Sequence, residues 1–151
     1  GTLVMDSTKR IMDLINITSE LVDILVEENE ALKEFRLHEI SDLIKDKVTV
    51  SRAYEAHVHE LISNPAILTE VDIDLHEKLR GLGDKANQFM GENARLLKAA
   101  INGNKQVMKL VSDAVKKAKA GAGTYSPLGE STTGKTQSAP KRIAVSVDQS
   151  L

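Results

Sequence analysis

The chain has no cysteine and no tryptophan, and only three prolines, two phenylalanines and two tyrosines in 151 residues. Without cysteine there are no disulfides, thiolate metal sites or cysteine nucleophiles, which fits a reducing compartment. An aromatic content of 3% makes a poor platform for stacking bases. It leaves packing to Leu, Ile, Val, Ala and a few Met, a palette typical of helix-on-helix seams and atypical of sandwiches. Charge of one sign is also missing: 20 basic and 22 acidic residues nearly cancel and are interspersed. No single-sign field therefore steers the chain toward nucleic acid or anionic lipid. No apolar run approaches the roughly 18 residues that span a bilayer, and the opening residues lack a signal-peptide apolar region. The expectation is a cytoplasmic protein with no membrane insertion and no nucleic-acid partner.

What is present changes abruptly near Ala120. Before it, apolar residues recur every three or four positions through long charged stretches. After it come Gly121, Gly123, Ser126, Pro127 and Gly129, then Ser, Thr, Gly, Lys and Pro with too little contiguous apolar surface to offset the entropy of ordering. This divides the chain into a helical bundle over 1–120 and a flexible, disordered Gly/Ser/Thr/Pro-rich tail over 121–151.

Ile11, Leu14, Thr18, Leu21, Leu25, Leu32 and Phe35 form one helical stripe, predicting a helix from about Asp6 to about Lys33. Its far side carries Lys9, Asp13, Glu20, Glu27 and Glu30, and the run Glu27-Glu28-Asn29-Glu30 reads as solvated. A second stripe passes through Ile40, Leu43, Ile44, Lys47, Val50, Tyr54, His57, Val58, Leu61 and Ile62, and Ser63-Asn64-Pro65 ends it. No Gly or Pro separates the two stripes. A continuous helix across Phe35 to Glu39 would run roughly 85 Å and need an equally long partner, so a tight hairpin turn is favoured.

Thr69 is the expected N-cap of the third helix, with Glu70 and Asp72 at its positive end. Its stripe reads Leu75, Leu79, Leu82, Ala86, Phe89, Leu96, Leu97, Ala100, Ile101, Met108, Val111 and Val115. Gly81, Gly83, Gly91 and Gly103 each cost about 1 kcal/mol against Ala, so a bend or break is expected near one of them. Lys116, Lys117 and Lys119 precede Gly121 as a stop signal. The fold class expected is all-α, an elongated antiparallel bundle of three long helices, a helical hairpin plus a long third helix with a short break allowed.

The sequence offers few chemical motifs. Gly129-Glu130-Ser131-Thr132-Thr133-Gly134-Lys135-Thr136 matches the phosphate-loop pattern, but no apolar strand precedes it and Pro140 stands where its helix should grow. His57 and His59 are two apart on a helix and cannot chelate one ion from a single face. His76-Glu77-Lys78-Leu79-Arg80-Gly81 loosely matches a histidine phosphotransfer site, one residue too long. Asn16-Ile17-Thr18 fits a glycosylation acceptor but lies inside a helix. Asn29, Asn93 and Asn104 fall on or beside apolar stripes, where a buried polar group sets register or is partly exposed. No nucleophile stands beside a base and an orienting group, so neither an enzyme nor a metal or cofactor site is expected.

The order of parts resembles the FlgN-like family of flagellar type III export chaperones. Leu21 and Leu25 lead into Glu27-Glu28-Asn29-Glu30-Ala31-Leu32, then come a short break and Leu37, Ile40, Leu43 and Lys47. Asn93-Ala94-Arg95-Leu96-Leu97 is similar to the family's Asn-rich stretch ahead of its last helix. Thr124-Tyr125-Ser126-Pro127-Leu128-Gly129 is similar to its Tyr-x-x-x-Gly element, and the terminal Ser146 to Leu151 to tails of its alphaproteobacterial members. The second Asn of the family's usual Asn-x-x-Asn-Gly is missing, and Val48-Thr49-Val50 replaces its Glu, Ala and Leu run. The resemblance implies a chaperone that holds unassembled hook-filament junction subunits of the FlgK and FlgL type and delivers them to export apparatus components. The residues themselves leave a histidine phosphotransfer bundle, a structural coiled-coil adaptor and a homo-oligomer open.

Apolar residues spread over more than one face of the last helix, so Leu97, Ile101, Val107, Met108, Val111 and Val115 are the expected partner-binding residues, extended by Tyr125 and Leu128. A fuller internal core is the alternative for that width. Client binding through this face would leave the fold indifferent to aspartate at Val107 or Val115.

Overall fold

A computed structural model describes residues 2–123, with side chains from Met5 to Ala120. Among these residues all regular structure is helical: α1 (Thr2–Lys33), α2 (Leu37–Ser63), a single turn α3 (Ala66–Thr69), α4 (Ile73–Gly103) and α5 (Lys105–Gly123). The all-α expectation holds. The expected third helix is two helices, α4 and α5, parted at Gly103 where a break was allowed, and the bundle differs from the expectation in the added single turn α3 ahead of them.

The hairpin between α1 and α2 is built without glycine. Phe35 takes the left-handed conformation at φ 53°. Its N–H donates to the Leu32 carbonyl at 3.3 Å, and the Arg36 N–H donates to the Ala31 carbonyl at 2.9 Å. This is the paired-bond Schellman ending of a helix, with a phenylalanine where glycine is usual. Ser63 closes α2, as Asn64-Pro65 predicts.

Thr69 does not cap the following helix. Pro65 starts the short turn α3, which Ile67 anchors in the core, and the Thr69 hydroxyl donates backward to the Ala66 carbonyl at 2.9 Å. Asp72, in extended conformation, precedes α4 instead. Gly81, Gly83 and Gly91 leave α4 unbroken, and the break falls at Gly103-Asn104. There the Asn104 side-chain oxygen accepts from the N–H groups of Gln106 at 2.8 Å and Val107 at 3.4 Å, an N-cap that restarts the helix as α5. Alanines flank the expected stop at Gly121, and α5 continues through Gly123, past the expected boundary at residue 120.

Three contacts, two to α4 and one to Glu70 just ahead of it, set the direction of α4 along α1. The Ser7 hydroxyl meets Glu70 at 2.6 Å, Asn29 meets Asn93 at 2.9 Å, and Lys33 meets Glu92 at 2.9 Å. The start of α1 thus meets the residues just ahead of α4 and its end meets the later part of α4, so α4 runs parallel to α1, while the hairpin sets α2 antiparallel to both. α1 lies between α2 and α4, which barely meet directly, and α5 packs chiefly on α2 and also against α4. At about 1.5 Å per residue the 32-residue α1 extends roughly 48 Å, so the bundle is elongated.

Candidate functional site

Two features are candidates: a polar cluster inside the bundle, and the uneven covering of its apolar surface. Lys47 is 1% exposed and Glu28 fully buried. The Lys47 ammonium donates to Asn93 Oδ1 at 2.7 Å and to Glu28 Oε2 at 3.3 Å. Asn93 Nδ2 donates to Asn29 Oδ1 at 2.9 Å, and Asn29 Nδ2 to the Phe89 carbonyl at 3.2 Å. One chain of hydrogen bonds thus joins α1, α2 and α4, with Lys47 reaching across to the helix its own backbone scarcely touches. Burial pushes the Lys47 pKa below its ordinary value, and the Glu28 carboxylate beside it opposes that shift. Glu28 Oε1 accepts no hydrogen bond and is compensated only by the Lys47 ammonium 3.3 Å away, so the cluster holds only where these helix faces meet in this register.

Glu28 was expected on a solvated run, and it is buried together with Asn29. The signal for this lay in the period, since Leu21, Leu25, Glu28 and Leu32 share one stripe. Lys47 sits on its stripe as expected, and the carboxylate facing it is what the spacing within α2 alone does not reveal.

The expected partner-binding residues fall in different places. Leu97, Val107, Val111 and Val115 are fully buried in one cluster with Ile40, Ile44 and Val48, and Ile101 packs partly buried against it. Met108 is 51% exposed. An aspartate at Val107 or Val115 would therefore enter the intramolecular core, so the expected indifference of the fold to it gives way. Tyr125 and Leu128 lie outside the described residues, as do the phosphate-loop match and the rest of the expected tail. His76 sits four residues into α4 and is half-buried, and His57 Nδ1 lies 2.9 Å from the Ala53 carbonyl. Among the described residues, no three His, Asp or Glu side chains converge as metal ligands.

The core changes character along its length. Around α5, eleven apolar residues are fully buried together. Beyond Ser51 on α2 and before Ala86 on α4, no residue is fully buried. There Leu61, Leu75, Leu79 and Leu82, with Leu68 and Val71 of the α3 connection, pack half-buried against Ile11, Ile15 and Ile67, and Tyr54 against Leu21, Leu25 and Met90. Among the described residues no helix is long and apolar enough to cross a membrane. No family model matches the chain, and neither a curated protein nor a solved structure matches it.

Proposed function

We propose that this protein is a cytoplasmic export chaperone that binds unassembled flagellar hook-filament junction subunits through amphipathic helix contacts and holds them for type III export. The observation that carries the reading is the uneven bundle: among the described residues α5 joins α1, α2 and α4 at one end, whereas at the other, where only the single turn α3 is added, leucines and aromatics are half-buried. A surface of that kind suits a client whose own amphipathic helix would otherwise self-associate. Glu28, Asn29, Lys47 and Asn93, all within segments that resemble the family, also belong to one buried network. That gives a physical reason for those residue types to occur together in such a sequence.

The test is co-purification of the tagged full chain from its native cells, with mass spectrometry of the eluate. Flagellar axial subunits in stoichiometric amount are the expected result. A two-component kinase in their place would assign the bundle to phosphotransfer, and a homo-oligomer without client would make it a structural adaptor.

A further inference from the structure

One residue parts α4 from α5. Asn104 is extended, at φ −158° and ψ 115°, between Gly103 at the end of α4 and Lys105 at the start of α5. Connections between packed helices usually take roughly two to eight residues, so this joint is short. Its hydrogen bonds have ready substitutes. The Asn104 N–H donates to the Ile101 carbonyl at 3.3 Å, and the Asn104 side-chain oxygen accepts from the N–H groups of Gln106 at 2.8 Å and Val107 at 3.4 Å. In an unbroken helix the same three donors take the carbonyls of Ala100, Asn102 and Gly103, so straightening leaves none of them unserved. The apolar pattern also runs through the joint without a change of phase. Leu97, Ile101, Asn104, Met108, Val111 and Val115 are spaced four, three, four, three and four apart, the repeat of a single helix seam. Met108 belongs to that seam yet is 51% exposed in the broken arrangement.

α5 is held by an apolar surface that any copy of the chain can offer. Val107, Val111, Ala114, Val115 and Ala118 pack in one cluster with Ile40, Ile44, Val48 and Leu97. The chief neighbour of α5 is α2, to which it is joined only by way of α3 and α4. We propose that the Asn104 joint lets two copies of this chain exchange α5. Asn104 turns helical, α4 and α5 become one helix from Ile73 to Gly123, and each α5 packs on α2 of the other copy. Every contact of the α5 cluster is remade between copies, so the balance between closed monomer and exchanged dimer rests on the joint and on concentration. Straightening also brings Met108 into line with Leu97, Val111 and Val115, on the face turned toward the second copy. Asn102, Gly103 and Asn104 are weak helix formers and weigh against the joined helix, as does the Asn104 cap. The sequence of the joint thus sets how readily exchange occurs. This concerns the chain alone and holds whether or not a client binds.

The absence of native cysteine gives a direct test. Spin labels are placed on the full chain at Lys98→Cys and Lys117→Cys, both exposed positions, and read by pulsed electron spin resonance. Each labelled chain is diluted in unlabelled copies, so that only the distance within one chain is seen. A single helix sets the two positions about 28 Å apart along its axis, and any bend at Asn104 brings them closer. The expected result is a monomer with the shorter distance when dilute. At high concentration a dimer forms, and the longer distance grows in step with its mass by light scattering. Asn104→Ala is expected to tighten the dimer about 100-fold, because each chain loses a cap used only in the closed form and gains a better former of the joined helix. Gly103→Ala keeps the cap and tightens the dimer less. A Cβ there meets nothing within 4 Å, so this variant folds and serves if Asn104→Ala does not. Inserting Gly-Ser-Gly after Asn104 lengthens the joint and returns the chain to monomer. A dimer that keeps the short distance, or that survives the insertion, would overturn the exchange, since the copies would then meet through another face. A wild-type chain that stays monomeric at every concentration would overturn it too. So would the longer distance in a monomer, where α5 opens with no second copy to receive it.

Discussion

The two ends of the bundle share α1, α2 and α4 yet differ in how deeply they bury them. Near α5, Ile44, Val48 and Leu97 are fully enclosed. At the other end residues of the same kind, Leu61, Leu75 and Leu79, remain half-buried on the same helices. Helix sequence alone does not explain the contrast. The inner stripe of α1 is fully buried at both ends, at Ile11, Leu14 and Ile15 as at Leu32, because α1 has neighbours along its length. Among the described residues, what separates the ends is that α5 packs on α2 and α4 at one, whereas the other adds only the single turn α3. Burial here is a property of the neighbour.

The polar layer of Glu28, Asn29, Lys47 and Asn93 falls at the boundary between these ends, after Leu25 and Met90 of one cluster and before Ala31, Ile44 and Leu97 of the other. If it fixes the register from which both ends are built, the largest stability effects will centre on it. Lys47→Met strands the Glu28 carboxylate in the core and is expected to cost about 3–5 kcal/mol in urea unfolding. Joining it to Glu28→Met recovers most of that loss, because a buried ion pair exceeds its apolar replacement by little or nothing. A cost under about 1 kcal/mol for the single variant would mean that the layer is not a sealed divide. The pH dependence follows from the lowered Lys47 pKa. Between that lowered value and 10.5 the unfolded chain binds more protons than the folded one, so this lysine makes stability rise with pH in that window and contributes no slope below it. The double variant lacks this alkaline rise.

Matched truncations measure the contrast itself. Leu97→Ala leaves a cavity in the enclosed end and is expected to cost about 3 kcal/mol, whereas Leu79→Ala, already half in solvent, costs about 1 kcal/mol. Equal costs would show that the half-buried end is as tightly packed as the other, and the two-end description would fail.

Much of this organisation was legible in the sequence. The end of α1 at Lys33, the turn at Phe35 and the end of α2 at Ser63 follow from stripe spacing and from Pro65, which act over a few residues. The start of α4 was not legible. Thr69 and Asp72 are both suitable caps three residues apart, and burial of Ile67 in a separate short turn decided between them. The network was half legible: Lys47 and Asn93 lay on their stripes, but the acidic run hid Glu28, because a carboxylate's fate depends on a lysine 19 residues away. Least legible was the function of the wide stripe on α5. Width alone does not distinguish a helix buried on two sides by its own chain from one awaiting a partner, and here Val107, Val111 and Val115 face inward while Met108 faces out.

The smallest expected effect lies at the tip of the enclosed end. Phe35 is 59% exposed while holding a left-handed backbone conformation that disfavours any side chain with a Cβ. Glycine would relieve that cost of about 1–2 kcal/mol, but it frees the unfolded chain by about 0.4–1 kcal/mol. Phe35→Gly is therefore expected to stabilise the protein by under about 1 kcal/mol, visible as a rise of a few degrees in thermal midpoint. The two Schellman bonds from Phe35 and Arg36 survive the change because both are backbone bonds. A fall in midpoint would mean that the exposed ring stabilises the hairpin through its own contacts. The enclosed end would then extend past Leu37 to the turn, and the difference between the two ends would be larger than burial in the core alone records.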